Sequence, residues 1–129
     1  MLEDVPAPEL RQLYRHASAT VCPSYGEGFD FSGAEAMRCG GVVVASDIPV
    51  HRDIFGDAAE FFGTYSATDL VRAIGEVIDP QAADKRTQMI RQGLEISKRY
   101  SAETILPQWQ QFLLEQAALA ERPTSRKLP

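Results

Sequence analysis

The run Pro23-Ser24-Tyr25-Gly26-Glu27-Gly28-Phe29-Asp30-Phe31-Ser32-Gly33-Ala34-Glu35-Ala36-Met37 constrains this chain more than any other segment. Apolar Thr20-Val21-Cys22 precedes it, and Cys39-Gly40-Gly41 followed by the unbroken Val42-Val43-Val44-Ala45 comes after. The order reads as strand, glycine-containing loop, short helix and strand, the unit that puts a ligand at the carboxyl ends of parallel strands. Glu27 lies in the loop and Glu35 near the helix start, eight positions on. Carboxylates so placed can face one polyhydroxylated ligand lying across the helix N-terminus, where backbone N–H groups hold phosphate.

The flanking sequence supplies further elements. Pro8 and the spacing of Leu10, Leu13, Tyr14 and Ala17 predict a helix with proline in its first turn. A strand is expected over 19–22, and a helix over about 33–39 that Gly40-Gly41 stops. Val42 to Ala45 shows no alternation, as in a strand covered on both faces. Pro49 to Phe55 reads as a short helical turn and Ala59 to Phe62 as another strand. Ser66-Ala67-Thr68-Asp69 resembles a capping box, ahead of Leu70, Ile74, Val77 and Ile78 at helical spacing. Asp79-Pro80 is expected to open a helix running to about Arg99. Ser101 caps a last one, in which Pro107 predicts a kink or a late start. The polar tail 121–129 reads as disordered, and residues 1–120 as one domain.

Composition narrows the partners. With 44% apolar and 24% charged residues and a net charge of −5, the 129-residue chain has an ordinary globular make-up. Its 13 basic residues form no stripe, which argues against nucleic acid. No apolar run approaches the roughly 20 residues needed to span a bilayer. The N-terminus lacks the features of a signal peptide, so the expected location is cytoplasmic. Cys22 and Cys39 read as small buried hydrophobes. His16 is expected on a helix surface and His51 in a solvated loop, and no metal-ligand spacing is present.

Two readings of Glu35 stay open on spacing alone. Ser32-Gly33-Ala34-Glu35 fits the capping box, with the glutamate folded back onto the N-cap N–H. Alternatively, an ionised carboxylate there accepts bonds from a ligand's vicinal hydroxyls. Glu27 would otherwise be an exposed loop residue. Gly28 permits close backbone approach, Phe29 reads as packing, and the N–H groups from Phe31 to Gly33 can bind phosphate without a basic side chain.

These residues resemble the donor-binding motif of the retaining, GT-B-fold glycosyltransferases often grouped as family 4. That pattern runs roughly Pro-Ser, a short variable stretch, Glu-Gly-Phe-Gly-Leu-Pro, two residues, Glu-Ala-Met and Cys-Gly before a valine-rich strand. Glu27 and Glu35 match its paired glutamates, and Glu35-Ala36-Met37-Arg38-Cys39-Gly40 follows almost unchanged. Ser46-Asp47-Ile48-Pro49, His51-Arg52-Asp53, Gly56-Asp57-Ala58-Ala59 and Arg99-Tyr100-Ser101 extend the likeness, which covers roughly residues 8–118. Three positions depart from the pattern. Asp30 replaces glycine and brings a negative charge towards a diphosphate, Phe31 replaces leucine, and Ser32 replaces proline while offering an N-cap.

The resemblance implies an α/β fold, a partial doubly wound Rossmann-like parallel sheet of a GT-B C-terminal domain with C-terminal helices. Glu35 would then bond the nucleotide ribose and Glu27 would face the transferred sugar. Gly28, Phe29, Asp30, Phe31, Ser32 and Gly33 would form the rest of the donor site. The implied partner is a nucleotide-diphosphate sugar, a substrate rather than a cofactor, with neither cofactor nor metal required. It further implies that the N-terminal acceptor domain and the first βα units lie outside the chain. The isolated chain is then expected to fold marginally, to self-associate through an exposed strand edge and to transfer no sugar. Two alternatives remain: a non-catalytic nucleotide-binding or interaction fragment, and a glycosidase using paired carboxylates.

Overall fold

The structure is a computed structural model that describes residues 4–120. Helix α1 (Ala7–His16) leads into strand β1 (Thr20–Cys22), helix α2 (Phe31–Arg38) and strand β2 (Val43–Ser46). Helix α3 (Pro49–Phe55), a short 3-10 turn and strand β3 (Ala59–Phe62) follow, and then helices α4 (Ala67–Ile78), α5 (Ala83–Ser97) and α6 (Ala102–Ala120). The chain forms two compact units, one up to Lys98 and one from Arg99 on.

The first unit holds a three-stranded parallel sheet in the order β1-β2-β3. Val43 is in register with Thr20 on one side and Ala59 on the other. All four residues of β2 are buried, as its unbroken apolar run predicts. Val42 and Val44 pack with Phe62, with Ala73 and Val77 of α4 and with Met89 of α5. Val43 and Ala45 point to the opposite face and are equally buried, so the sheet is covered on both sides. Helix α2 packs against β1 and β2, and α5 against α2. Because the strands run in chain order, no reversal occurs among them. A switch-point crevice of the doubly wound kind requires a further strand beside β1.

Several boundaries differ from expectation. Helix α2 begins at Phe31, because Asp30 and not Ser32 is its N-cap; the Asp30 side chain accepts from the Gly33 N–H at 2.9 Å. Gly40, at φ 78°, ends that helix as anticipated. The Asp79 carboxylate accepts from the Gln81 N–H at 2.7 Å and Pro80–Ala82 forms a 3-10 turn, so α5 starts only at Ala83. Phe29 is half-buried and meets the exposed Phe31 edge-on at 4.9 Å, so it is not a core residue. His51, expected in a solvated loop, lies in α3 and is fully buried.

Ser66 caps α4 as its sequence predicts, accepting from Asp69 N–H at 3.1 Å. Arg72 on that helix reaches Asp69, Glu76 and Glu60, and Lys85 of α5 reaches Glu60 and Glu76, which ties β3, α4 and α5 together by charge. Apart from the half-buried Glu60 these groups are largely exposed, so each pair contributes little.

Among the described residues, the second unit contains α6, whose first turn Ser101 caps by accepting from the Thr104 N–H at 3.3 Å. The helix is continuous through Pro107 and begins at Ala102, so the late start does not occur. Leu106, Trp109, Phe112 and Leu113 are exposed along it, with Trp109 and Phe112 meeting edge-on. The tail expected to be disordered, 121–129, lies outside the described residues. Among those described, no helix is long and apolar enough to cross a membrane.

Candidate functional site

Parallel strands deliver their following loops to one end of the sheet, and the motif residues collect there. The loop Pro23–Phe29 leaves the carboxyl end of β1, Ser46 closes β2, and Gly63–Tyr65 follows β3. Ser46 Oγ donates to the Ser24 carbonyl, and Thr64 Oγ1 donates to the Asp47 carbonyl at 3.2 Å. Tyr25 and Tyr65, both largely exposed, stack with ring centres 5.0 Å apart and planes 13° from parallel. The loop after β1 is thus pinned to those after β2 and β3.

Glu27 is exposed, and its Oε1 accepts from the Ser24 hydroxyl at 2.7 Å. This bond orients the carboxylate and leaves its other oxygen available to a ligand. An added Cβ on Gly28 would meet nothing within 4 Å, so this strip of backbone is open to close approach. Beyond it the first turn of α2 presents its backbone N–H groups. Asp30 already occupies that of Gly33, so Phe31 and Ser32 supply the donors that remain for a ligand, a narrower set than the sequence implied.

Glu35 does not cap the helix. With Asp30 as N-cap it sits past the first turn, exposed, and Tyr14 of α1 donates to its Oε2 across a long 3.4 Å. The capping-box reading of Ser32 and Glu35 therefore falls. Partial burial, the largest effect, together with the nearby Glu35 charge, raises the Tyr14 phenol above its ordinary value and keeps it a neutral donor. Tyr14 and Glu35 line a cavity of about 500 Å³ between α1 and α2, with Leu10, Arg11, Arg15 and Arg38 on its walls.

Asp30 turns away from solvent. Besides capping Gly33, its Oδ2 lies 3.1 Å from Nε2 of His51, and the side chains are 8% and 0% exposed respectively. His51 Nδ1 lies 2.9 Å from the Ser46 carbonyl and 3.1 Å from Ser46 Oγ. Phe55 stacks on the imidazole at 5.3 Å. The Cys22 thiol, next to Asp30, is pushed far up by burial and then by that carboxylate, so it stays protonated. The Asp30 side chain is thus directed into the protein, against His51 and the Gly33 N–H. Among the described residues, no group of three or more His, Cys, Asp or Glu side chains could hold a metal ion.

Three parallel strands, helices on both faces and a glycine-containing loop leading into a helix N-terminus define part of a doubly wound α/β domain. The chain belongs to the glycosyl transferases group 1 family, whose model matches residues 1–95. It is 29% identical over 121 residues to an alpha-galactosylglucosyldiacylglycerol synthase of Streptococcus pneumoniae, covering 92% of this chain and 31% of that protein. With O-antigen chain mannosyltransferase B of Escherichia coli it shares 34% over 91 residues, 70% of this chain and 20% of the relative. A D-inositol 3-phosphate glycosyltransferase of Mycolicibacterium smegmatis is 25% identical over 122 residues, 92% of this chain and 28% of its own length. The chain therefore spans less than a third of each of these relatives.

Glu27 and Glu35 lie in the loop and helix that the sequence singled out, whereas the Tyr14 contact with Glu35, the buried His51 and the Tyr25–Tyr65 stack had no counterpart in the sequence reading. A signal for His51 existed in its place two residues after Pro49, where a proline-started helix turns one face inward. Nothing in one sequence marks which face that is.

Proposed function

We propose that this domain binds a nucleotide-diphosphate sugar and, within a whole enzyme, supports transfer of the sugar to an acceptor hydroxyl with retention of configuration. The observation that carries this reading is Glu35, which is free of any capping duty and stands on the wall of a cavity beside the first turn of α2. A ribose placed there gives its vicinal hydroxyls to Glu35, and the diphosphate then falls to the Phe31 and Ser32 N–H groups at the positive end of the helix. Glu27, oriented by Ser24, faces the sugar and stabilises positive charge developing at the anomeric carbon. The diphosphate leaves on the face that the acceptor attacks, and neither metal nor cofactor takes part.

An acceptor-binding domain is the partner this mechanism needs, because alignment of donor and acceptor supplies much of the rate. The chain by itself then binds donor and transfers nothing, and it self-associates through the free edge of β1, where Val21 is exposed. A cytoplasmic location belongs to the same proposal and rests on the sequence reading alone.

Calorimetric titration of nucleoside diphosphates into the parent and Glu35→Ala tests the assignment. The variant is expected to bind about 1.5–3 kcal/mol more weakly, the range for a hydrogen bond to a charged group. Its melting temperature should be nearly unchanged, since no cap is lost. Equal affinities would remove Glu35 from the donor site.

A further inference from the structure

His51 Nδ1 faces the carbonyl oxygen of Ser46, which can only accept, so Nδ1 carries hydrogen. Ser46 Oγ, 3.1 Å from the same nitrogen, gives its own proton to the Ser24 carbonyl and offers a second acceptor. In a neutral imidazole Nε2 would then be a bare lone pair. That lone pair would lie 3.1 Å from Asp30 Oδ2, with no well-aligned hydrogen-bond partner and no solvent access. A lone pair and a carboxylate oxygen buried together repel, whereas an imidazolium beside a carboxylate, or a neutral imidazole beside a carboxylic acid, attract.

We infer that His51 and Asp30 together hold one proton more than a neutral imidazole and a carboxylate, and that this proton lets an acidic residue cap the helix that faces the donor diphosphate. The inference rests on the donor-site reading above, and His51 acts as a positioning residue, not as a group that touches substrate. Asp30 thus puts a carboxylate at the N-cap of α2, the end of the helix that faces the proposed diphosphate. With the proton in place the pair is neutral overall, and the positive end of α2 remains available to an anion. Without it, the carboxylate and the diphosphate compete for the same N-terminal field.

The surroundings suit such a pair. The Gly33 N–H on α2 and the neutral Cys22 thiol on β1 face Asp30, and Phe55 of α3 covers the imidazole. Ser46 of β2 faces the other ring nitrogen. Helix α5, which also packs on α3, turns the uncharged Met89, Gly93 and Ser97 inward. Glu27, in the loop after β1, acts on the neighbouring Cys22, and the exposed Asp47–Arg52 pair is satisfied within itself.

Two measurements on the labelled full chain test this. The first records long-range ¹⁵N–¹H correlations of His51 and the ¹³C shift of the Asp30 carboxyl near neutral pH. The second follows affinity for UDP and GDP upward from about pH 7, where the charge of the diphosphate itself no longer changes. Expected are a doubly protonated His51, or a neutral one beside a protonated Asp30. Affinity should fall as the shared proton is lost. In Asp30→Asn the amide oxygen can still accept from Gly33 N–H, and the amide NH₂ can donate to Nε2 of a neutral imidazole. Its affinity is therefore expected to change less than about twofold over the same range. A singly protonated His51 beside an ionised Asp30 at neutral pH, or a parent affinity that ignores pH, would overturn the inference. If the proton is present but neither nucleotide binds at any pH, the donor-site reading fails and the coupling fails with it. Should Asp30→Asn not fold, the spectra and pH profile of the parent decide alone.

Discussion

Glu27→Gln, introduced into a whole enzyme carrying this domain, is expected to lower kcat by about 10²–10³-fold while leaving nucleotide affinity nearly intact. The magnitude is that of removing one preorganised electrostatic partner from a transition state, about 2.7–4 kcal/mol. Glutamine keeps the size and can still accept from the Ser24 hydroxyl, so the loop geometry is preserved and only the charge is lost. The loss falls on kcat because positive charge at the anomeric carbon exists in the transition state and not in bound donor. Steady-state kinetics beside nucleotide titration reads both quantities. Unchanged turnover would take Glu27 out of the mechanism, whereas a matched loss of binding and turnover would make it a ground-state contact.

Gly33→Val is expected to destabilise the fold by about 3 kcal/mol or more, the upper end of overpacking penalties. An added Cβ at Gly33 would collide with the Phe55 ring and lie 3.1 Å from Cys22 Sγ. Phe55 is fully buried and itself stacked on His51, so it has nowhere to retreat. Gly33→Ala should lose less, because alanine recovers roughly 1 kcal/mol of helix propensity that valine largely forgoes. Urea denaturation of the parent and the two variants checks the order. A valine variant as stable as the parent would show that α2 does not lie against Phe55 as described.

Both experiments bear on a region that the sequence described only in part. The elements carried by periodicity were legible. The buried run of β2, the capped amphipathic α4 and the glycine stop of α2 stand where hydrophobic spacing and turn chemistry put them. The start of α2 was not. Asp30 and Ser32 are both strong N-cap residues two positions apart, and local preference cannot choose between them. The choice is tertiary: α3 brings a buried His51 under the loop, and that partner captures Asp30. The consequence reaches the site itself. Moving the cap from Ser32 to Asp30 releases Glu35 from the capping box, takes the Gly33 N–H out of the donor set and turns the charge of Asp30 inward. Tyr14 escaped notice for the same reason, since its contact with Glu35 joins two helices far apart in the chain.

Where a nucleoside diphosphate binds is reported residue by residue by amide ¹H–¹⁵N spectra of the chain titrated with UDP or GDP. The predicted result is a single cluster of shifts at Gly28, Phe31, Ser32 and Glu35 with Tyr14 of α1, quiet along α4, and lost in Glu35→Ala. Shifts confined to other surfaces, or a spectrum that does not change at millimolar nucleotide, would contradict the assignment of this loop and helix start as the donor site.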